Sequence, residues 1–169
     1  MKKLFISATC GLLLAAPANA GEVFGGLYIH DVDTVSTKSG IEDGVDIQLG
    51  YRGGHIGSTP LQPYAFGALN TNGETSYAAI GMSAHFGRRL FVRPGLGLAI
   101  HNGSDSNFNR ADKIAFGSRI LFEPELGIGY HISDRASVEA SWVHLSHAQL
   151  FGGQNPGIDN IGVRFGWKL

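Results

Sequence analysis

From Gly21 to Leu169, apolar residues alternate with small or charged ones in runs of about ten, and Gly, Asn, Asp and Pro cluster between the runs. A period of two sends successive side chains to opposite faces of a β-strand, so such a chain builds a sheet with one apolar face and one that is not. The last run is the clearest: Ile161, Val163, Phe165, Trp167 and Leu169 interleave with Gly162, Arg164, Gly166 and Lys168. Leu90, Val92, Leu96, Leu98 and Ile100 oppose Phe91, Arg93, Gly95, Gly97 and His101 in the same way. So do Ile120, Phe122, Leu126 and Ile128 against Arg119, Glu123, Glu125, Gly127 and Gly129, and Val45, Ile47, Leu49 and Tyr51 against Asp46, Gln48, Gly50 and Arg52. The pattern predicts strands near 22–32, 43–53, 62–71, 74–86, 90–101, 114–130, 134–146 and 159–169, the first of them without a decided parity.

Nothing after residue 20 strings together the ~18 apolar residues that a membrane helix needs. In lipid, amphipathic strands satisfy every backbone N–H and C=O only by closing into a barrel. Eight strands of this length suit a tilted membrane strand, and an even count leaves both termini in the periplasm. The expected fold is therefore all-β, an eight-stranded antiparallel transmembrane β-barrel of the outer-membrane type, formed by residues 21–169 as a single domain. Links 87–89 and 131–134 read as periplasmic turns, and the longer 33–42, 102–113 and 147–158 as loops facing outside.

A charge on the lipid face costs roughly 2–4 kcal/mol at the bilayer midplane. Arg93, Arg119, Glu123, Glu125, Glu139 and Arg164 are accordingly expected to point inward and pair there. An eight-stranded barrel is only just wide enough for its own side chains, so the interior is a filled core and not a pore. Pro94 and Pro124 fall inside strands with no free edge; each removes a ladder hydrogen bond, and a bulge is expected at both.

The first twenty residues belong to export. Lys2 and Lys3, the apolar stretch Leu4 to Pro17 and the small-x-small site Ala18-Asn19-Ala20 form a signal peptide cleaved after Ala20, with the cell outer membrane as the expected destination. Cys10 leaves with it, so neither disulfides nor thiolate chemistry remain. Without Lys2 and Lys3 the chain carries eleven basic against fourteen acidic residues, a net charge of −3, and no nucleic-acid partner is expected. The histidines have no ligand spacing, since His144 and His147 lie on opposite faces of a strand, so neither a metal nor another cofactor is expected. Gly25-Gly26, Gly95-x-Gly97 and Gly127-x-Gly129 lack the strand-to-helix context of a phosphate loop and fit as small residues inside a narrow barrel.

One strand violates the pattern. Val138, Ala140 and Trp142 hold the lipid-facing parity, yet the next two positions on that face are His144 and Ser146. Asp159 has the parity of Ile161 to Leu169 and so also faces outward at the rim. Same-face residues two apart are ~6.6–7 Å apart, and diagonal cross-strand neighbours ~7–8 Å. If residues 146 and 159 pair, Asp159 is diagonal to His144, and an imidazole spans both gaps. A serine hydroxyl needs a base to take its proton, and the base needs an acceptor that fixes its tautomer. Ser146, His144 and Asp159 supply those types. An ester tetrahedral intermediate also needs oxyanion donors, for which Asn155 and a main-chain amide near Ala148 are candidates. The same three residues also fit a plain interfacial rim, where polar groups cost little.

His144-Leu145-Ser146-His147-Ala148, followed by Asn155-Pro156-Gly157-Ile158-Asp159 and a terminal amphipathic strand, resembles the lipid A 3-O-deacylase family of outer-membrane barrels. That family carries a His-x-Ser-Asn-Ala segment, then an Asn-x-Gly turn and an acidic residue opening the last strand. The resemblance implies Ser146 as nucleophile, His144 as general base and then acid, Asp159 as orienting carboxylate and Asn155 as oxyanion donor, with His147 and Ala148 flanking the substrate. It implies lipid A of lipopolysaccharide as the partner, no cofactor, and is compatible with a homodimer. His147 stands where the family usually has Asn, and Asp159 where Glu is commoner. Two other readings stay open from the sequence: a non-enzymatic barrel that binds through loops 33–42 and 102–113, and a soluble lipid-carrying barrel, which would need an apolar lumen.

Overall fold

The computed structural model describes residues 21–37, 41–106, 113–148, 150 and 156–169. The expected signal peptide, residues 1–20, lies outside the described residues. Among the described residues there are nine strand segments: β1 (Glu22–Ile29), β2 (Val45–Arg52), β3 (Leu61–Asn70), β4 (Tyr77–Ala84), β5 (Phe86–Gly87), β6 (Leu90–His101), β7 (Ile120–His131), β8 (Ala136–Leu145) and β9 (Ile158–Lys168). Each is antiparallel to its neighbours, β1 pairs with β9, and β4 pairs with β6, so the sheet closes on itself. β4 and β5 share one register against β6, with Ser83 opposite Gly95 and Phe86 opposite Val92. They are two halves of a single stave, and the barrel has eight.

The break between β4 and β5 falls where Pro94 meets the neighbouring strand with no N–H to give. Pro124 acts likewise on its β8 side. Against β6 and β7 both prolines keep strict register, Pro94 opposite Leu126 and Pro124 opposite Leu96. The expected bulges are absent: each proline leaves out one ladder bond and adds no residue.

Alternation holds around the barrel. Leu27, Ile47, Leu69, Ile80, Leu96, Ile128, Val163 and Trp167 are exposed on the outer surface, as lipid-facing side chains must be. β1 settles to the same scheme, with Val23, Leu27 and Ile29 outward and Glu22, Phe24 and Tyr28 inward. Inside, six buried charges from six strands form a closed ring. Arg52 bonds Glu22 and Glu125, Arg93 bonds Glu22 and Glu139, and Arg164 bonds Glu125 and Glu139, with N···O distances between 2.5 and 3.1 Å. The guanidinium carbons of Arg52 and Arg164 each lie 4.7 Å from the centre of the Phe24 ring between them. Glu123 is apart from this ring and accepts the Tyr64 hydroxyl.

Arg119 departs from expectation. It precedes β7, is half exposed, and pairs with Asp105 at 2.8 Å above the rim. The cause is a shorter strand: β7 starts at Ile120, and not near residue 114. Ile114 and Phe116, both fully buried, join the apolar cluster that holds Leu121, Val143 and Leu145 at the mouth of the barrel, with the Phe116 ring 4.5 Å from His101 between centroids, and Gly117 turns the chain at φ 72°. Covering the mouth buries two large apolar side chains that a longer strand would have exposed to water.

Candidate active site

His144 is the penultimate residue of β8 and Asp159 the second of β9, and the two are directly opposite in the ladder. The diagonal placement conditional on a 146–159 pair is thus replaced by a closer one; the same register sets Gly157 opposite Ser146. His144 Nδ1 and Asp159 Oδ1 are 2.8 Å apart. A carboxylate only accepts, so the proton of the neutral ring sits on Nδ1, and Nε2 keeps its lone pair.

Asp159 is fully buried although its parity is outward, because other donors cover it. The Trp142 indole N–H donates to Oδ1 at 2.8 Å, and its ring stacks on His144 with centroids 5.9 Å apart. Thr37 donates its hydroxyl to Oδ2 at 2.6 Å, and Thr34 donates to the same oxygen. The segment carrying them is tied to β9 by the Val32 amide on the Asp159 carbonyl, at 2.8 Å. Four side chains therefore hold this carboxylate, and three were not part of the sequence-derived set. Trp142 was within reach of the parity count that found His144. Thr34 and Thr37 lie 125 and 122 residues away, and no spacing rule connects them.

Ser146 is just past the end of β8 and still in the ladder: it exchanges both backbone hydrogen bonds with Phe122, at 3.1 and 2.7 Å. Parity places it on the face of His144, one strand repeat of ~6.6–7 Å away. It is largely buried, with 8% exposure, so its surroundings exclude most water. The register between Glu125–Val143 and Phe122–Ser146 puts Pro124 opposite His144, where the ladder skips a bond.

Gly157 has φ 64°, and a Cβ there would lie 3.1 Å from His144 Cε1 and 3.0 Å from the Leu145 carbonyl oxygen. The turn before β9 is thereby packed against the imidazole. His147 is fully buried on the parity opposite Ser146, and its carbonyl accepts the Leu150 amide at 2.9 Å. Ala148 is exposed and adopts φ 52°, a left-handed conformation uncommon for alanine. Asn155 lies outside the described residues. Among the described residues no group of three or more His, Cys, Asp or Glu could hold a metal ion.

No curated protein matches the chain. Among solved structures, the outer membrane enzyme PagL is similar over 90% of this chain and 100% of its own, at 17% identity and a TM-score of 0.58. The Yersinia pestis outer membrane protein Ail covers 90% and 100% at 11% identity and 0.54. Neisserial surface protein A covers 88% and 97% at 13% identity and 0.54. At these identities the likeness is one of fold, the small outer-membrane barrel. The family model described as Lipid A 3-O-deacylase (PagL) matches residues 47–168, which run from the third residue of β2 to the end of β9 and include the His144, Ser146 and Asp159 positions. With most of its length matched by that model, the chain belongs to the lipid A 3-O-deacylase family.

Proposed function

We propose that this outer-membrane barrel is a serine esterase that hydrolyses the 3-position acyl ester of lipid A in the outer leaflet. The observation that carries the reading is the 2.8 Å bond from His144 Nδ1 to Asp159, two residues before a largely buried serine of the same strand parity. Ser146 Oγ attacks the acyl carbonyl carbon while His144 Nε2 takes its proton. The tetrahedral oxyanion is met by the Ala148 region amides and the Asn155 side chain. Collapse breaks the C–O bond to the sugar, whose 3-oxygen takes the proton back from His144. Water then attacks the acyl-enzyme, giving up a proton to His144, and the 3-hydroxy fatty acid leaves as Ser146 is regenerated. Asp159 keeps Nδ1 protonated throughout and stabilises the imidazolium. Because the site faces the bilayer side of the sheet, an acyl chain reaches Ser146 laterally, without leaving the lipid.

Refolded protein incubated with lipid A is expected to remove one hydroxyacyl mass, read by mass spectrometry. Ser146→Ala should slow this by about 10⁶-fold and Asp159→Asn by about 10⁴-fold. Undiminished acyl loss in Ser146→Ala rules out the nucleophile and with it this mechanism.

A further inference from the structure

At the end of the barrel opposite His144, three inward-parity side chains close the lumen: His85 continues the face of Ser83, His131 that of Gly129, and Lys168 that of Gly166. Above them opens a cavity of about 660 Å³, lined also by His55, Arg88 and Arg89 from the adjoining links. Its floor is a stack: the Phe91 ring lies 4.7 Å from His85 and 4.8 Å from His131 between centroids. The floor divides the cavity from the buried ring of arginines and glutamates.

The lining has a definite sign. Arg88, Arg89 and Lys168 face a single acid, Asp134. None of the three cations forms an ion pair among the described residues; the Arg89 guanidinium lies 5.2 Å from the centre of the Tyr130 ring, a contact that leaves its N–H donors free for an anion. The histidines add donors even when uncharged. Arg93 Nη2 reaches His85 Nδ1 at 3.3 Å, and a guanidinium has only hydrogens to give, so His85 carries its own proton on Nε2. Excess positive charge, arginine forks and ring N–H donors in one concavity suit a multiply charged phosphate-type oxyanion. Parity also decides the route. His85, His131 and Lys168 have the inward parity and not the lipid-facing one, so the ligand enters from the periplasmic water.

We propose that the periplasmic mouth is a binding site for a phosphate-bearing oxyanion, separate from the His144 site and independent of the esterase reading. The test follows the ring C–H resonances of His85 and His131 in the refolded full-length protein as pyrophosphate is added. Saturable shifts of both, with His144 unmoved, are expected, and Arg88→Gln/Arg89→Gln together should weaken the apparent affinity about tenfold. Lys168→Gln, which removes the charge and keeps the β9 backbone bonds, should weaken it as well. A parallel series in phosphatidylcholine nanodiscs, with and without phosphatidylglycerol, separates the sources. Absence of saturation, or affinity unchanged in the arginine variant, overturns the site; a response to the anionic lipid alone overturns the axial route and the proposal with it.

Discussion

Asp159 shows how little freedom the candidate site has. It is fully buried and bonded by Trp142, His144, Thr34 and Thr37, so both of its oxygens are in use. The family's commoner glutamate would have the longer reach, but this register already sets residue 159 directly across from His144. Asp159→Glu is therefore expected to crowd the pocket: a loss of about 1–3 kcal/mol in urea unfolding, and deacylation slower by up to about a hundredfold from the displaced imidazole. Activity equal to or above the parent's would mean that reach, and not crowding, sets the geometry. Counting by twos brought His144, Ser146 and Asp159 to one face because strand parity is a local property of sequence. The threonines stayed invisible because a loop contact across 122 or more residues leaves no period to read.

At the level of strands, the alternating pattern located all eight staves, since burying one face and giving the other to lipid forces the period to persist. It erred where a second force competed. Ile114 and Phe116 are apolar at the right spacing, yet covering the barrel mouth claims them and β7 starts six residues later than the first of them. The prolines were legible as ladder defects, while their register could not be read without the partner strands. Gly157 lies opposite Ser146 in the β8–β9 register with a positive φ, and a Cβ there would press on His144 Cε1 at 3.1 Å. Gly157→Ala should cost about 1–2 kcal/mol through its left-handed backbone. It should also slow deacylation more than an equally destabilising substitution on the lipid face, such as Ile80→Ala. If the two variants lose activity in step with their unfolding midpoints, Gly157 matters for folding alone.

For the whole molecule, the closed ring of three arginines and three glutamates explains how a barrel too narrow for a pore tolerates charges in its core. Each charge meets two of the opposite sign, so no group is buried without compensation. Arg164→Met opens the ring, leaving Glu125 with Arg52 alone and Glu139 with Arg93 alone and the buried cluster one positive charge short, and should cost about 3–5 kcal/mol, seen as a lower urea midpoint in refolded protein. A change within about 0.5 kcal/mol would make the ring dispensable packing. The outer mouth has a second polar cluster, and its behaviour depends on pH. His30 lies 3.0 Å from Asp46 and 3.1 Å from Glu42, which also accepts the Thr75 and Ile114 amides and so joins three loops. Burial opposes the His30 charge, but the two carboxylates outweigh it and raise its pKa from 6.5 to about 9. Burial likewise opposes ionisation of Glu42, yet His30 and the Thr75 and Ile114 donors hold its pKa below 4.5. The His30 contribution is complete below pH 6.5 and fades as pH rises through about 9; that of Glu42 is complete above pH 4.5 and fades in acid. The difference in thermal midpoint between the parent and His30→Gln should therefore be largest between pH 4.5 and 6.5 and shrink toward pH 9 and above. A difference that stays constant across that range would mean that His30 contributes by shape and not by charge.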